Sequence, residues 1–233
     1  MQLFRRGVWS VDSCGGGVLS ALPAATSKLT GASPAKLQPL TGVTKRTSDA
    51  LMLGIALIRL HAIFPGGKIE GRSYTAWVRE IWEWVDNSGL LGRDNLVGYG
   101  VAEVERNGKV QCQTIAGCNG ERVWSNVQGQ YVRFAAEYSR MTLDFQAKEK
   151  AVRVMKAAIE HFAVNVADLS TEVQRQGDYS PSLRVFHEVA CTSDQQKVLL
   201  GSEQECQKHC ILYKGMFARD LSRAIEVRAG LYS

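Results

Sequence analysis

Two short stretches near the C-terminus contain residue types that bind metals. CQKHC holds Cys206 and Cys210, and HEVAC holds His187 and Cys191. Each pair is four residues apart, so on a helix its side chains share one face, with Cβ atoms about 5–6 Å apart. Two antiparallel helices could thus offer one histidine and three cysteines to a tetrahedral zinc ion. A zinc site is therefore one hypothesis for these four residues.

The same residues permit two other interpretations. Cys206 and Cys210 do not bond to each other within one helix, but either could form a disulfide with Cys191 on a facing helix. Alternatively the cysteines are reduced and buried, as cysteines often are. The spacing is not that of a common zinc motif, so we predict packing and assign no metal-binding residue. The sequence does not determine any pairing of the other cysteines, which are Cys14, Cys112 and Cys118.

Motifs for common catalytic chemistry are incomplete. HEVAC has the His-Glu pair of a zinc-protease helix, but Cys191 replaces the second histidine. FPGGK cannot form a standard phosphate-binding loop, because Ala62 stands where the first glycine is needed. VGYGVAE has Gly98 and Gly100, but Glu103 occupies the third glycine position of a dinucleotide-binding turn. We therefore predict a protein that is not an enzyme, with no catalytic or cofactor-binding residue and no cofactor.

The composition is that of an ordinary globular protein, with 45% hydrophobic and 22% charged residues in a chain of 233. The net charge of +5 is concentrated at the start, where residues 1–48 contain six basic residues and one acidic residue, Asp12. This segment is also rich in Ser, Thr, Ala and Gly, which resembles an organelle transit segment. The other interpretation is an extended basic arm that binds neighbouring subunits.

Two helices are predicted after this segment. The first begins at Thr47 or Ser48 and ends near Phe64, where PGGK stops it. Its apolar part is shorter than the ~20 residues that span a bilayer, so we predict no membrane-spanning segment. The second begins near Ser73, and Trp77, Ile81, Trp84 and Val85 recur in it at helical spacing. We interpret its three tryptophans as core or interface anchors rather than ligand-stacking platforms.

A three-stranded antiparallel meander is predicted over about residues 96–127. Two valine-rich runs flank Asn107-Gly108, and an Asn-Gly pair favours the tight turn of a hairpin. A second such pair at Asn119-Gly120 indicates a third strand. Because three strands are marginally stable alone, this meander must pack on helices.

The strongest pattern lies between residues 130 and 176, which contain neither glycine nor proline. Apolar residues recur there in alternating steps of four and three, which predicts one long coiled-coil-like helix. We expect it either to break near residues 165–168 and form a helical hairpin closed by the C-terminal helices, or to project and need a partner. Helices over about 182–191, 194–200 and 203–229 would follow. The last continues the same spacing with Phe217 and Leu221, so we expect it to pack along the long helix.

The predicted fold is therefore mainly α with a small inserted antiparallel β-meander, in which a long coiled-coil-like helix packs with the C-terminal helices. The predicted domains are a basic arm or transit-like segment (1–47), a helix pair plus meander (48–128) and a helical bundle (129–233). We predict a non-catalytic accessory subunit of a large assembly, namely a mitochondrial energy-converting complex such as a respiratory-chain complex or ATP synthase. Its partners would be the other protein subunits.

The alternative is an organellar protein associated with RNA or ribosomes. The N-terminal arm would contact phosphates, helped by two further groups of basic residues. These are Lys148, Lys150, Arg153 and Lys156 on the long helix, and Arg219, Arg223 and Arg228 near the C-terminus. A solvated, charge-balanced helix face explains these two groups equally well.

Overall fold

The structure is a computed structural model that describes residues 9–12, 14–18, 20–21, 43–106, 109–116, 122–165, 184–186 and 203–229. The helices described are α1 (Thr47–Ile63), α2 (Tyr74–Asn87), α3 (Ser125–Thr142), α4 (Phe145–Phe162) and α5 (Glu203–Ala229). The strands are β1 (Trp9–Asp12), β2 (Gly15–Val18), β3 (Ser20–Ala21), β4 (Val43–Arg46), β5 (Lys68–Ile69), β6 (Arg72–Ser73), β7 (Gly100–Arg106), β8 (Lys109–Ile115), β9 (Ala163–Asn165) and β10 (Arg184–Phe186). The prediction of a mainly helical fold with a small antiparallel sheet is confirmed at this coarse level.

The two predicted N-terminal helices are confirmed as α1 and α2. Ser73 caps α2, because its hydroxyl oxygen accepts a hydrogen bond from the N–H of Ala76 at 3.2 Å. All three tryptophans of α2, Trp77, Trp82 and Trp84, are buried. Their interpretation as core anchors is therefore confirmed.

The predicted uninterrupted helix over residues 130–176 is wrong, because α3 and α4 are separate helices joined by Leu143 and Asp144. Leu143 has the left-handed values φ 60° and ψ 27°, which end α3. Asp144 then caps α4, its carboxylate accepting from the N–H groups of Gln146 and Ala147 at 2.9 and 3.2 Å. Because a two-residue connection reverses the chain, α3 and α4 form an antiparallel helical hairpin rather than a coiled-coil segment.

The break predicted at residues 165–168 is also misplaced, because α4 ends earlier and β9 follows directly. β9 pairs antiparallel with β10, which occupies part of the helix predicted over 182–191. The helix predicted over 194–200 lies outside the described residues. The final helix predicted over 203–229 is confirmed as α5.

The sheet is built differently from the predicted meander. Its four antiparallel strands lie in the order β3, β4, β7, β8. β7 and β8 form the predicted hairpin, in which Arg106 pairs with Lys109 across a two-residue loop. The other two strands come from the segment predicted to be an arm, whereas Val123 makes an isolated bridge to Gly98. The division into domains stays a prediction.

A glutamine of α3 fixes the loop that leads into β7. The side-chain oxygen of Gln128 accepts from the N–H of Val97, and its amide nitrogen donates to the carbonyl of the same residue, both at 2.8 Å. The amide nitrogen also reaches the carbonyl of Trp124 at 3.1 Å. The loop is therefore tied to the first turn of α3.

α3 and α5 lie side by side and run parallel. Near the start of α3, the rings of Trp124 and Tyr213 meet edge to face with centroids 5.2 Å apart. Further along both helices, a guanidinium nitrogen of Arg133 lies 2.8 Å from a carboxylate oxygen of Asp220. Because the second contact is nearer the C-terminus of both helices than the first, the axes of α3 and α5 run parallel.

α1 is parallel to α3 by the same criterion. Gly54 lies against the ring of Phe134, and farther along Arg59 approaches Glu137 at 3.7 Å. α2 and α4 connect these helices and run in the opposite direction. The helices therefore alternate in direction along the chain.

Gly129 sets the close approach of α3 to α5. A Cβ atom at this position would lie 2.8 Å from the Cα of Phe217 and 3.2 Å from its carbonyl oxygen, and backbone atoms cannot rotate away. We expect Gly129→Ala to lower the free energy of unfolding by about 1–3 kcal/mol through overpacking.

The matched control for this substitution is Gly215→Ala within α5. A Cβ there meets nothing within 4 Å, so alanine should raise the free energy of unfolding by about 0.5–1 kcal/mol. Chemical denaturation measures both variants. Equal effects of the two substitutions would show that the helices do not depend on this close approach.

Candidate functional site

An open cleft of about 360 Å³ lies between the β1–β2 hairpin, α2 and β8. The hairpin contributes backbone, and α2 contributes side chains from one face, since the spacing between Glu80, Glu83 and Asn87 is helical. The residues that line the cleft are Cys14, Gly15, Gly16, Glu80, Glu83, Trp84, Asn87, Ser88 and Cys112. This combination places carboxylates, an amide and a hydroxyl around one solvent-open space.

A disulfide closes one side of the cleft. It joins Cys14 to Cys112 across 98 residues of sequence and brings the N-terminal hairpin to β8. The sequence analysis left both cysteines unassigned, because cysteine spacing alone does not reveal a pairing of this kind. Such disulfides persist mainly in oxidising compartments.

Hydrogen bonds fix the hairpin against the body of the protein. The indole N–H of Trp84 donates to the carbonyl of Cys14 at 2.9 Å. The ammonium group of buried Lys45 donates to the carbonyl of Gly15. Gly15 has φ +73°, and a Cβ there would lie 3.5 Å from the Trp84 ring, so its backbone conformation favours glycine.

The polar groups of the cleft are in different environments. The Glu80 carboxylate forms an ion pair with Arg72, whose guanidinium lies over the Trp77 ring at 4.2 Å from the centroid. Glu83 and Asn87 are exposed. Carboxylate, amide and hydroxyl groups exchange hydrogen bonds with hydroxyl groups. The cleft is therefore chemically suited to a small, hydroxyl-rich ligand.

A second concentration of polar residues forms a stripe along α3. Asn126, Gln130, Arg133 and Glu137 recur in steps of four, three and four, so they share one face. All four are buried. This face of α3 lies between the surface that contacts α1 and the surface that contacts α5. We call these four residues the polar stripe.

Ion pairs satisfy the C-terminal half of the polar stripe. Arg133 donates to Asp220 at 2.8 Å and to Glu137 at 3.0 Å, while Arg219 also donates to Asp220. Burial by itself would lower the pKa of Arg133, but these hydrogen bonds and charges outweigh it and raise the pKa. With Arg59 near Glu137, the cluster links α1, α3 and α5.

The N-terminal half of the polar stripe is different. The side-chain oxygens of Asn126 and Gln130 have no hydrogen-bond partner among the described residues, and the hydroxyl of neighbouring Tyr131 has none there either. Burial raises the pKa of Tyr131, and the carboxylate of Asp86 adds to the effect. These groups lie inside the fold, whereas the cleft is open to solvent, so the cleft is the site that a ligand can reach.

The predicted zinc ligands are not brought together by the part of the chain that is described. His187 and Cys191 lie outside it, as do the side chains of Cys206 and Cys210, so the zinc hypothesis stays a prediction. Among the side chains that are described, no group of three or more His, Cys, Asp or Glu could hold a metal ion.

The basic groups proposed for phosphate contact are largely matched by acids. Lys150 pairs with Asp86, and Arg223 with Glu226 at 2.7 Å. A charge-balanced surface is therefore the better interpretation of these two helices. Sequence reasoning missed Glu80 and Glu83, because both look like the polar face of an amphipathic helix until the hairpin is placed opposite them.

Solved structures share this fold, although no protein-family model and no curated protein matches the sequence. A family 76 glycoside hydrolase (mannosidase) from Bacteroides thetaiotaomicron aligns with 98% of this chain and 46% of its own, at 11% identity and a TM-score of 0.54. A family 76 glycoside hydrolase from a bovine strain of that species covers 74% of this chain and 30% of its own, at 17% identity and a TM-score of 0.49.

A third match is an inactive variant of an α-1,6-mannanase from Salegentibacter sp., in complex with α-1,6-mannotriose. It aligns with 65% of this chain and 36% of its own, at 17% identity and a TM-score of 0.45. The chain thus spans less than half the length of each of these three proteins. At such identities the likeness concerns the fold, a helical barrel rather than a coiled coil.

The match to the family 76 mannosidase at a TM-score of 0.54 corrects the predicted function. The accessory subunit of a mitochondrial complex and the RNA-associated alternative are both wrong, because the solved structure that aligns with 98% of the chain is a glycoside hydrolase. The predictions of a non-enzyme and of a mitochondrial location are wrong for the same reason, since that mannosidase is a bacterial enzyme. The apolar spacing that predicted one long helix also misplaces the buried face of α4. Ala147, Ala151, Val154 and Ala158 are buried there, whereas Phe145 and Ile159 are exposed.

No helix in the described ranges is long and apolar enough to cross a membrane.

Proposed function

We propose that this chain is a carbohydrate-active protein of the glycoside hydrolase type, acting on polysaccharides that contain α-linked mannose. The observation that carries the proposal is the alignment of 98% of the chain with a family 76 mannosidase at a TM-score of 0.54. This is an argument from fold, so the substrate must be tested directly. The disulfide supports a protein made for an oxidising environment, where extracellular polysaccharides are found.

The cleft supplies groups that a sugar would need. Asn87 and Ser88 can exchange hydrogen bonds with its hydroxyls. Glycoside hydrolysis generally requires two carboxyl groups that flank the scissile bond, one acting as acid and the other as nucleophile or base. Glu80 and Glu83 are the carboxylates of the cleft and are our candidates for this pair.

The test is to incubate the purified chain with α-1,6-mannan and to measure the release of reducing ends, with mannotriose binding followed by calorimetry. We expect release by the unmodified chain and its loss in Glu80→Gln or Glu83→Gln. The control Glu149→Gln removes an exposed carboxylate on α4 and should change nothing. The proposal would be contradicted if the chain neither binds nor cleaves any mannan. Unchanged release of reducing ends in both cleft variants would show that the active site lies elsewhere.

A further inference from the structure

We infer that the Cys14–Cys112 disulfide is a redox-sensitive clasp, whose reduction releases the β1–β2 hairpin and removes one wall of the cleft. The inference concerns regulation of the site described above, and it rests on the proposed function for the identity of the ligand alone. The consequence is that a chain in a reducing environment would lose the cleft while keeping its helical core.

The described hydrogen bonds between the hairpin and the body of the protein lie at its turn, beside the cystine. β1 and β2 pair with each other, with Trp9 opposite Val18 and Asp12 opposite Gly15. The links to the body include the disulfide and the hydrogen bonds from Trp84 and Lys45 to the turn. From Ser20 onward the chain is held separately by pairing of β3 with β4. The clasp therefore controls the residues that precede β3.

The cystine can be reached from solvent, because both of its residues line the open cleft. Cys14 is 5% exposed and Cys112 is half-buried, so Cys112 is the more exposed residue of the pair. A dithiol attacks as its thiolate, forming a mixed disulfide and freeing the other cysteine as a thiolate that takes up a proton. The second thiol of the reagent then displaces the remaining cysteine. The dithiol is oxidised to a cyclic disulfide, and the cystine gains two electrons and two protons.

The carboxylates of the cleft select among reductants. Glu80 and Glu83 line the same cleft as the two cysteines, and Arg72 offsets the charge of Glu80. The exposed carboxylate of Glu83 repels an anionic thiol such as glutathione more strongly than an uncharged dithiol such as dithiothreitol. Glutathione should therefore reduce the Cys14–Cys112 disulfide more slowly than the intrinsic reactivity of its thiol predicts. This gap between the expected and the measured rate should shrink at high salt.

The experiment treats the full oxidised chain with dithiothreitol, traps free thiols by alkylation, and identifies them by mass spectrometry while hydrogen exchange is followed. Alkylation of Cys14 and Cys112 should be accompanied by at least a tenfold faster exchange in residues 9–18, with protection of α3 and α5 unchanged. The variant Cys14→Ser should show the same exchange pattern without reductant. Unchanged protection of residues 9–18, or loss of protection throughout the chain, would overturn the clasp.

A second arm tests the carboxylates. The double variant Glu80→Gln with Glu83→Gln should be reduced severalfold faster by glutathione, with little change in the rate with dithiothreitol; equal changes would overturn this selectivity. Because neither arm uses a glycan, an absence of mannan binding would contradict the proposed function but not the redox inference. A negative result in the reduction experiment would contradict the redox inference but not the proposed function.

Discussion

Asp220→Asn should lower the free energy of unfolding by about 3–5 kcal/mol, because it removes one partner of a buried ion pair. Asp220 has no exposed surface, and it accepts hydrogen bonds from Arg133 and Arg219. Without this charge, the buried guanidinium of Arg133 keeps only Glu137, on the same helix, as an anionic partner, and its charge-assisted link to α5 is lost. Urea denaturation measures the loss.

Two further variants make this prediction specific. Arg223→Ala disrupts an exposed pair with Glu226 and should cost no more than about 0.5 kcal/mol. Replacing the buried pair together, as Arg133→Met with Asp220→Leu, should recover part of the loss, because no charge is then left unpaired. A cost below about 1 kcal/mol for Asp220→Asn would mean that the pair is solvated and does not bind α5 to α3.

Trp82→Ala should lower the free energy of unfolding by a similar amount, about 3–5 kcal/mol, as for other large buried aromatics. The indole stacks on Tyr138 with ring centroids 4.9 Å apart and contacts Phe134 at 6.2 Å. The centroid of the indole ring also lies 5.7 Å from the ammonium group of Lys150 on α4. One side chain thus joins α2, α3 and α4, and its removal leaves a cavity at their junction.

The control is an equally apolar side chain without these contacts. Phe145 is 74% exposed at the start of α4, so Phe145→Ala should change stability by no more than about 0.5 kcal/mol. Trp82→Phe retains an aromatic ring and should cost roughly 1–2 kcal/mol. If Trp82→Ala and Phe145→Ala unfold at the same urea concentration, the three helices do not share this anchor.

Local signals in the sequence predicted most of the helices. Ser73 marks the start of α2 by its capping side chain, and the tryptophans behind it have helical spacing, so both the helix and its buried face could be inferred. Similarly, the apolar spacing of Phe217 within the last predicted helix correctly indicated packing on α3. Such features depend on residues within one or two turns of each other.

The failures arose where distant or reversed segments meet. The apolar spacing continues through Leu143 and Asp144, so periodicity did not reveal that the chain turns back there; the capping tendency of aspartate was the available signal. The pairing of Cys14 with Cys112 requires knowing how the N-terminal segment folds onto β8. The cleft depends on that same fold, which is why the sequence did not reveal that its residues converge.

The role of Gln128 restricts what evolution can place at one position of α3. Its amide faces the backbone of Val97 as another peptide group would, donating and accepting at once. Only asparagine and glutamine side chains offer both functions in one plane, and asparagine is one methylene shorter. A carboxylate would set an acceptor against the Val97 carbonyl, and an aliphatic side chain would leave both backbone groups unmatched. The loop before β7 therefore holds the helix beneath it to a single amino acid at this position.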